Sequence, residues 1–329
     1  MSILVTGAAG FIGLNVVEQL LADGHAVIAH SLGPLPGSAR ERFAALPGSL
    51  AVVTGDVRDV DALRDAMVRH GVQRVLHTAA LTVGPAAKGA AAVPAFSVNV
   101  AGTNGVLQLA RETGVRRVVF TSSTAVYGEA PFAEAPLTEE TPTTPLTVYG
   151  YTKVAAEALV AQARTFGLDT VCARLTAIYG PWEHDSGVRD TLSPPFQIAR
   201  AALRGEPVVL AEGGERDWTS STAIARALIR LLLAPAHRHD VYNLGVGHTW
   251  HPEALCAALR ERVPTFAWRR AGQDESPSIA YNDDLARPRR SPPAPTRFEA
   301  EFGAVFSEPR AAIDAYADWV VTQGRGLLI

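Results

Sequence analysis

Thr6-Gly7-Ala8-Ala9-Gly10-Phe11-Ile12-Gly13 follows the apolar run Ile3–Val5 without a spacer and leads into the amphipathic stretch Phe11–Asp23. A strand that turns through glycines directly into a helix leaves backbone N–H groups at the positive helix end, where a pyrophosphate binds. The spacing is GxxGxxG, not the commoner GxGxxG. Taken alone, it also reads as a glycine turn without a ligand.

The same alternation continues through the first half of the chain. Ala26–Ala29, Ala51–Val53, Val75–His77, Val118–Thr121 and Thr170–Arg174 are apolar runs of strand length, as in a parallel sheet covered on both faces. Val60–Arg69, Pro94–Thr113 and Tyr149–Phe166 carry helical patterning, and Gly24, Gly71, Gly114 and Gly167 supply stop signals before the next strand. The pattern predicts an α/β fold, a Rossmann-type doubly wound parallel sheet over residues 1–174. Beyond that the rhythm breaks and Pro and Trp become frequent. Helices are predicted at Pro195–Arg204, Thr222–Leu233, Pro252–Arg262 and Pro309–Val321, and Arg287–Pro295 reads as loop. Residues 175–329 are expected to form a smaller C-terminal α/β substrate domain, with some segments returning to the Rossmann sheet.

Composition removes several classes of function. The chain has 329 residues, of which 47% are hydrophobic and 19% charged, as in a globular protein. Thirty Lys and Arg against 33 Asp and Glu leave a net charge of −3, with no basic excess to neutralise a nucleic-acid backbone. Cys172 and Cys256 lack CxxC spacing, which argues against a metal site or disulfide framework and fits a reducing compartment. No apolar run approaches the ~18 residues of a membrane span, and the N-terminal stretch reads as structure, not as a signal peptide. The expectation is a cytoplasmic protein with a small-molecule substrate and neither nucleic-acid nor membrane partners.

Two further motifs carry chemistry. In Tyr149-Gly150-Tyr151-Thr152-Lys153, Tyr149 and Lys153 share one helix face. An ammonium beside a phenol favours the phenolate. Bringing a Tyr from ~10 toward 7 takes roughly 4 kcal/mol, within reach of a lysine plus a cationic nicotinamide. In Thr121-Ser122-Ser123-Thr124-Ala125-Val126-Tyr127-Gly128, hydroxyls sit at the end of the fifth strand, where doubly wound folds place ligands.

With these motifs, the chain resembles the NAD-dependent epimerase/dehydratase branch of the extended short-chain dehydrogenase/reductase superfamily. The resemblance extends over Gly55-Asp56-Val57-Arg58-Asp59, His77-Thr78-Ala79-Ala80, Asn99-Val100-Ala101-Gly102-Thr103-Asn104 and Tyr179-Gly180-Pro181. It continues through Gly213-Gly214-Glu215-Arg216-Asp217-Trp218 and Arg269-Arg270-Ala271-Gly272. It implies Tyr149 as acid/base, Lys153 as its tuner and ribose ligand, and Ser123 as the hydroxyl that holds the reacting oxygen. Ser123 is preferred to Ser122 because the family's hydroxyl stands four residues before the Tyr of its VYG, here Tyr127. By the same resemblance Gly7, Gly10, Phe11, Ile12 and Gly13 cover the pyrophosphate of NAD or NADP. Asp56 and Val57 hold the adenine, and Ala79, Ala80 and Asn99 the rest. Arg216 and Arg270 take a nucleotide diphosphate, and the helices of Pro94–Thr113 and Tyr149–Phe166 pair in a homodimer.

Departures from the family pattern narrow the reading. Ser31 replaces the Asp that bonds the adenosine ribose, so a 2′-phosphate meets no carboxylate, and Arg40 or Arg42 is in sequence reach of it; the expectation leans slightly to NADP. Both arginines also read as a solvated helix face. Thr124 and Ala125 replace the acidic pair of the dehydratases, which disfavours elimination. Ala177 replaces an Asn that contacts the sugar nucleotide, and Ser220-Ser221-Thr222-Ala223 lacks the usual acidic pair. Arg189 lies after the strand-six loop, available to a substrate anion or to a neighbouring Asp. The implied activity is reversible hydride transfer on a secondary alcohol of a sugar-type substrate, first as a sugar-nucleotide epimerase. A sugar or sugar-acid dehydrogenase/reductase is the alternative, and a catalytically silent dinucleotide sensor is the alternative of another class.

Overall fold

The computed structural model describes residues 1–84, 92–132, 137–185, 192–281, 290–306 and 308–328. The chain begins β1 (Ser2–Thr6), α1 (Phe11–Ala22), β2 (Ala26–Ser31), α2 (Gly37–Ala44), β3 (Ser49–Thr54), α3 (Val60–Arg69) and β4 (Arg74–His77). It continues with α4 (Ala92–Phe96), a π-helical turn (Ser97–Ala101), α5 (Gly102–Glu112), β5 (Arg117–Ser123), a 3₁₀ turn (Thr124–Tyr127), α6 (Val148–Thr165) and β6 (Thr170–Leu175). The later elements are β7 (Ile178–Tyr179), α7 (Pro194–Arg204), β8 (Val208–Leu210), β9 (Thr219–Ser220), α8 (Ser221–Leu233) and β10 (Val241–Leu244). They are followed by α9 (Glu253–Arg262), β11 (Trp268–Arg270), α10 (Thr296–Phe302), α11 (Pro309–Thr322) and α12 (Arg325–Leu328).

Seven parallel strands form one sheet in the order β10-β6-β5-β4-β1-β2-β3. Alternation along each strand divides the core. Ile3 and Val5 of β1 pack with α1 and α8, whereas Leu4 faces α3, α5 and α6. The order reverses direction between β1 and β4, so the crevice at their carboxyl ends is the switch point at which such sheets bind ligands. Segments of the second half take part in these layers: α8 packs beside α1, β10 pairs with β6, Tyr242 opposite Ala173, and Phe298 of α10 joins the same core. The remainder builds a second core around α7, α9 and α11, where Tyr179 meets Trp250 and Tyr316 edge to face.

All six strands read from the first half are present, each longer by one to three residues. The predicted helix at Pro94–Thr113 is interrupted by the π turn at Ser97–Ala101. Three short helices escaped the reading, α2, α10 and α12. In α2 only Ala39 and Phe43 are buried, too few to mark a period. No helix among the described residues is long and apolar enough to cross a membrane.

Candidate active site

The glycine loop is built for close approach. Gly7 has φ +69°, and a Cβ there would lie 2.7 Å from Ala79 N, so the turn after β1 presses on the chain leaving β4. A Cβ on Gly13 would collide with the Gly7 carbonyl oxygen. No side chain caps α1 at Gly10. The first turn of α1 therefore presents uncapped backbone over a floor that only glycine permits. That cradle fits the pyrophosphate of a dinucleotide.

A buried polar chain joins this loop to the catalytic helix. Ala79 N–H donates to Thr6 Oγ1 (3.3 Å), which lies 2.6 Å from His77 Nδ1; His77 Nε2 lies 2.9 Å from Thr103 Oγ1, which donates to the Asn99 carbonyl (2.6 Å). Since Thr103 spends its proton on Asn99, it accepts from His77 Nε2–H, and Nδ1 is left to accept from Thr6. The ring is neutral, and burial pushes its pKa down to about 3. Asn99 clamps both backbone polar groups of Leu81 (2.7 and 3.0 Å) and donates to Thr152 Oγ1 (2.9 Å), itself a donor to the Tyr149 carbonyl (2.7 Å). The Asn99 side chain thus positions Leu81 and α6. Thr6, Thr103 and Thr152 were missed because each acts through a partner distant in sequence.

Thr147 caps α6 by accepting from Gly150 N (3.1 Å), and a Cβ on Gly150 would lie 2.7 Å from the Ala125 carbonyl oxygen. The absent side chain lets the first turn of α6 settle on the turn after β5. Tyr149 and Ser123 are thereby brought to one end of the sheet. The two serines differ sharply. Ser122 is buried and donates to Glu157 Oε1 (2.5 Å), whereas Ser123 is partly exposed and accepts from Ala125 N (3.2 Å). Lys153 is buried, donates to the Thr121 carbonyl (2.7 Å) and stands 4.8 Å from the Phe120 ring centre and 5.5 Å from that of Tyr149. Burial lowers its pKa to about 8, against the attraction of the Glu157 carboxylate.

Around the adenosine end, Ser31 Oγ donates to the Gly33 carbonyl (2.7 Å). Asp56 accepts from Arg58 at both oxygens (2.9 and 2.6 Å), and this bonding holds it at about 2. Val57 is buried beneath the π turn. Arg42 is paired with Glu18, and Arg40 is exposed on the same helix. Asn15 and Glu18 of α1 tie down the loop after β7, through the Pro181 carbonyl (2.8 Å) and Trp182 Nε1 (2.6 Å). On the substrate side, Arg270 forks onto Glu253 (2.9 and 2.7 Å) and Arg269 onto Glu275 (2.6 and 2.5 Å). Arg216 lies over the Trp218 ring at 5.6 Å. Arg189 lies outside the described residues. His184 has Nδ1 3.0 Å from the Trp182 carbonyl.

The chain matches the model of the NAD dependent epimerase/dehydratase family over residues 3–245. It is 34% identical over 298 residues to a UDP-glucose 4-epimerase of Halalkalibacterium halodurans, covering 84% of this chain and 86% of that one. Among solved structures it is similar to a Thermus thermophilus UDP-glucose 4-epimerase in complex with NAD (TM-score 0.79, 26% identity, 98% of this chain and 100% of that one). It is also similar to MoeE5 in complex with UDP-glucuronic acid and NAD (TM-score 0.74, 27% identity, 98% and 99%).

Proposed function

Since the chain belongs to the NAD dependent epimerase/dehydratase family, we propose that it epimerises a sugar nucleotide at a secondary alcohol, with UDP-glucose and UDP-galactose as the first substrates to try. One observation carries the reading: a buried Lys153 beneath the Tyr149 ring, on a helix seated against the turn that presents Ser123. Tyr149 removes the hydroxyl proton of the substrate and returns it. Lys153, whose ammonium lies 5.5 Å from the Tyr149 ring centre, favours the phenolate over the phenol. Ser123 holds the substrate oxygen in place while its charge changes, and Ser122, committed to Glu157, does not compete for that role. A bound nicotinamide supplies hydride exchange with the substrate carbon. Gly7, Gly10, Phe11, Ile12 and Gly13 hold its pyrophosphate, Asp56 and Val57 its adenine, and Ala79 and Ala80 line the crevice between. Thr124 and Ala125 offer no acid for elimination, so dehydration does not follow.

NAD is the cofactor in the two solved relatives of at least 25% identity named above. With Arg42 paired to Glu18, a 2′-phosphate meets Arg40 first and gains Arg42 only by displacing that carboxylate. The site takes NAD and discriminates weakly against NADP, because Ser31 neither repels the phosphate nor bonds the ribose as a carboxylate does. Val93, Phe96 and Tyr151 are exposed on α4 and α6, an apolar surface suited to pairing with a second copy. Arg216 and Arg270 take the diphosphate, Arg270 by leaving Glu253.

The test is incubation of the purified protein with UDP-glucose or UDP-galactose, without added cofactor, followed by proton NMR of the anomeric region. Interconversion supports the proposal. A ketone product that forms only with stoichiometric NAD or NADP replaces it with the dehydrogenase, and dinucleotide binding without turnover replaces it with the sensor.

A further inference from the structure

Glu157 lies one helical turn beyond Lys153 on α6, as Lys153 lies one turn beyond Tyr149. Its side chain is 12% exposed, and it accepts from Ser122 Oγ (2.5 Å), Arg174 Nε (2.9 Å) and Arg174 Nη2 (2.7 Å). Arg174, 7% exposed, is fixed in turn by Tyr127 OH (3.0 Å from Nη1), and Tyr127 donates to Asn243 Oδ1 (2.7 Å). A buried carboxylate needs polar partners, and this one has a bidentate guanidinium and a hydroxyl.

Among the described residues, no carboxylate forms an ion pair with Lys153. Its ammonium donates to the Thr121 carbonyl and faces the Phe120 and Tyr149 rings. The other ionisable groups facing it are neutral, His77 because burial pushes it down and the Cys172 thiol because burial pushes it up. Arg174 on β6 and Arg164 farther along α6 are cations, and neither favours the ammonium. The attraction that offsets burial comes from Glu157.

We propose that Glu157 is a positioning residue that keeps Lys153 charged in its buried setting and, through Ser122, locks the end of β5 to the helix carrying Tyr149. Its meaning for turnover rests on the epimerase reading above. The charge on Lys153, however, can be read without turnover, because the chain has only two lysines, Lys88 and Lys153. In protein labelled with ¹⁵N-lysine, in a Lys88→Arg background, one side-chain resonance remains to be followed against pH. The wild-type midpoint is expected near the value of about 8 given by burial and Glu157 together. Glu157→Gln should lower it by roughly one unit or more, and Glu157→Asp, which keeps the charge, should stay within about 0.3 unit of wild type. In turnover, the acidic limb of the kcat/KM profile should move to higher pH in the Gln variant and not in the Asp variant.

An unchanged midpoint in Glu157→Gln overturns the proposal. So does a wild-type midpoint below about 7 with Glu157 in place, a result that decides the matter even where the Gln variant does not fold. Failure of the epimerase reading would appear separately, as absent turnover in a wild type whose Lys153 still responds to Glu157.

Discussion

The catalytic half of the site and its substrate half spend their polar groups differently. Thr6, His77, Thr103, Asn99 and Thr152 are buried and bonded into one chain that ends at the backbone of Tyr149, and Ser122, Glu157 and Arg174 form a second. Arg269 and Arg270, by contrast, have side chains 58% and 46% exposed and are paired with Glu275 and Glu253. Buried, satisfied networks resist rearrangement because an unpaired member costs about 1–3 kcal/mol, whereas exposed ion pairs contribute about 0–1 kcal/mol and exchange partners readily. On the proposed reading, the proton-transfer geometry is set before substrate arrives, and the diphosphate contacts are completed by it.

The largest effect should come from the first half. Tyr149→Phe removes only the titrating oxygen, so kcat/KM should fall by roughly 10²–10⁴-fold while NAD affinity by calorimetry changes little. A loss smaller than about tenfold would break the distinction, because proton transfer would then not depend on the fixed network.

The next concerns pH and stability. Lys153 sits at about 8 in the fold against 10.5 for the ordinary group, so the folded state disfavours its proton. That penalty is full below pH 8 and vanishes as pH rises from 8 to 10.5, so this group makes the protein more stable across that window. The unfolding free energy of wild type relative to Lys153→Met should therefore rise by about 3 kcal/mol over that range in denaturant titrations. A flat difference would mean that the ammonium is not desolvated.

Gly7→Ala tests the cradle. With φ +69° and a Cβ 2.7 Å from Ala79 N, left-handed strain should lower the unfolding free energy by about 1–2 kcal/mol in denaturant titrations, and the loop pushed off Ala79 should bind NAD more weakly in calorimetry. The smallest effect belongs to the exposed half. Glu253→Gln frees Arg270 and should tighten UDP binding by about two- to fivefold, the scale of an exposed pair. A much larger gain would show that this pair is a strong lock and not an exchangeable contact.

What was legible in the sequence is what is local. Gly7 to Gly13 and Tyr149 to Lys153 are short motifs whose geometry follows from one turn or one helix face. The supporting contacts join residues far apart: Thr6 and His77 by 71 positions, Asn99 and Thr152 by 53, Ser122 and Glu157 by 35. No spacing rule connects them; only strand order does. The preference for Ser123 over Ser122 came from family resemblance, and the bond from Ser122 to Glu157 supplies a physical reason for it. Beyond residue 175, β10 was not foreseen because Val241–Leu244 is four residues long and becomes a strand only through its pairing with β6. The ion pairs of Arg42 and Arg270 were illegible for the same reason: Glu18 and Glu253 reach them through tertiary packing.

The most direct test of reversible hydride exchange in one closed site is the fate of the hydrogen on the reacting carbon. UDP-galactose deuterated at C4, converted by the purified protein in ordinary water, should yield UDP-glucose that keeps its deuterium at C4, read by the missing H4 signal in proton NMR. Product carrying a proton at C4 would mean that the hydrogen left as a proton to solvent, and would contradict the account.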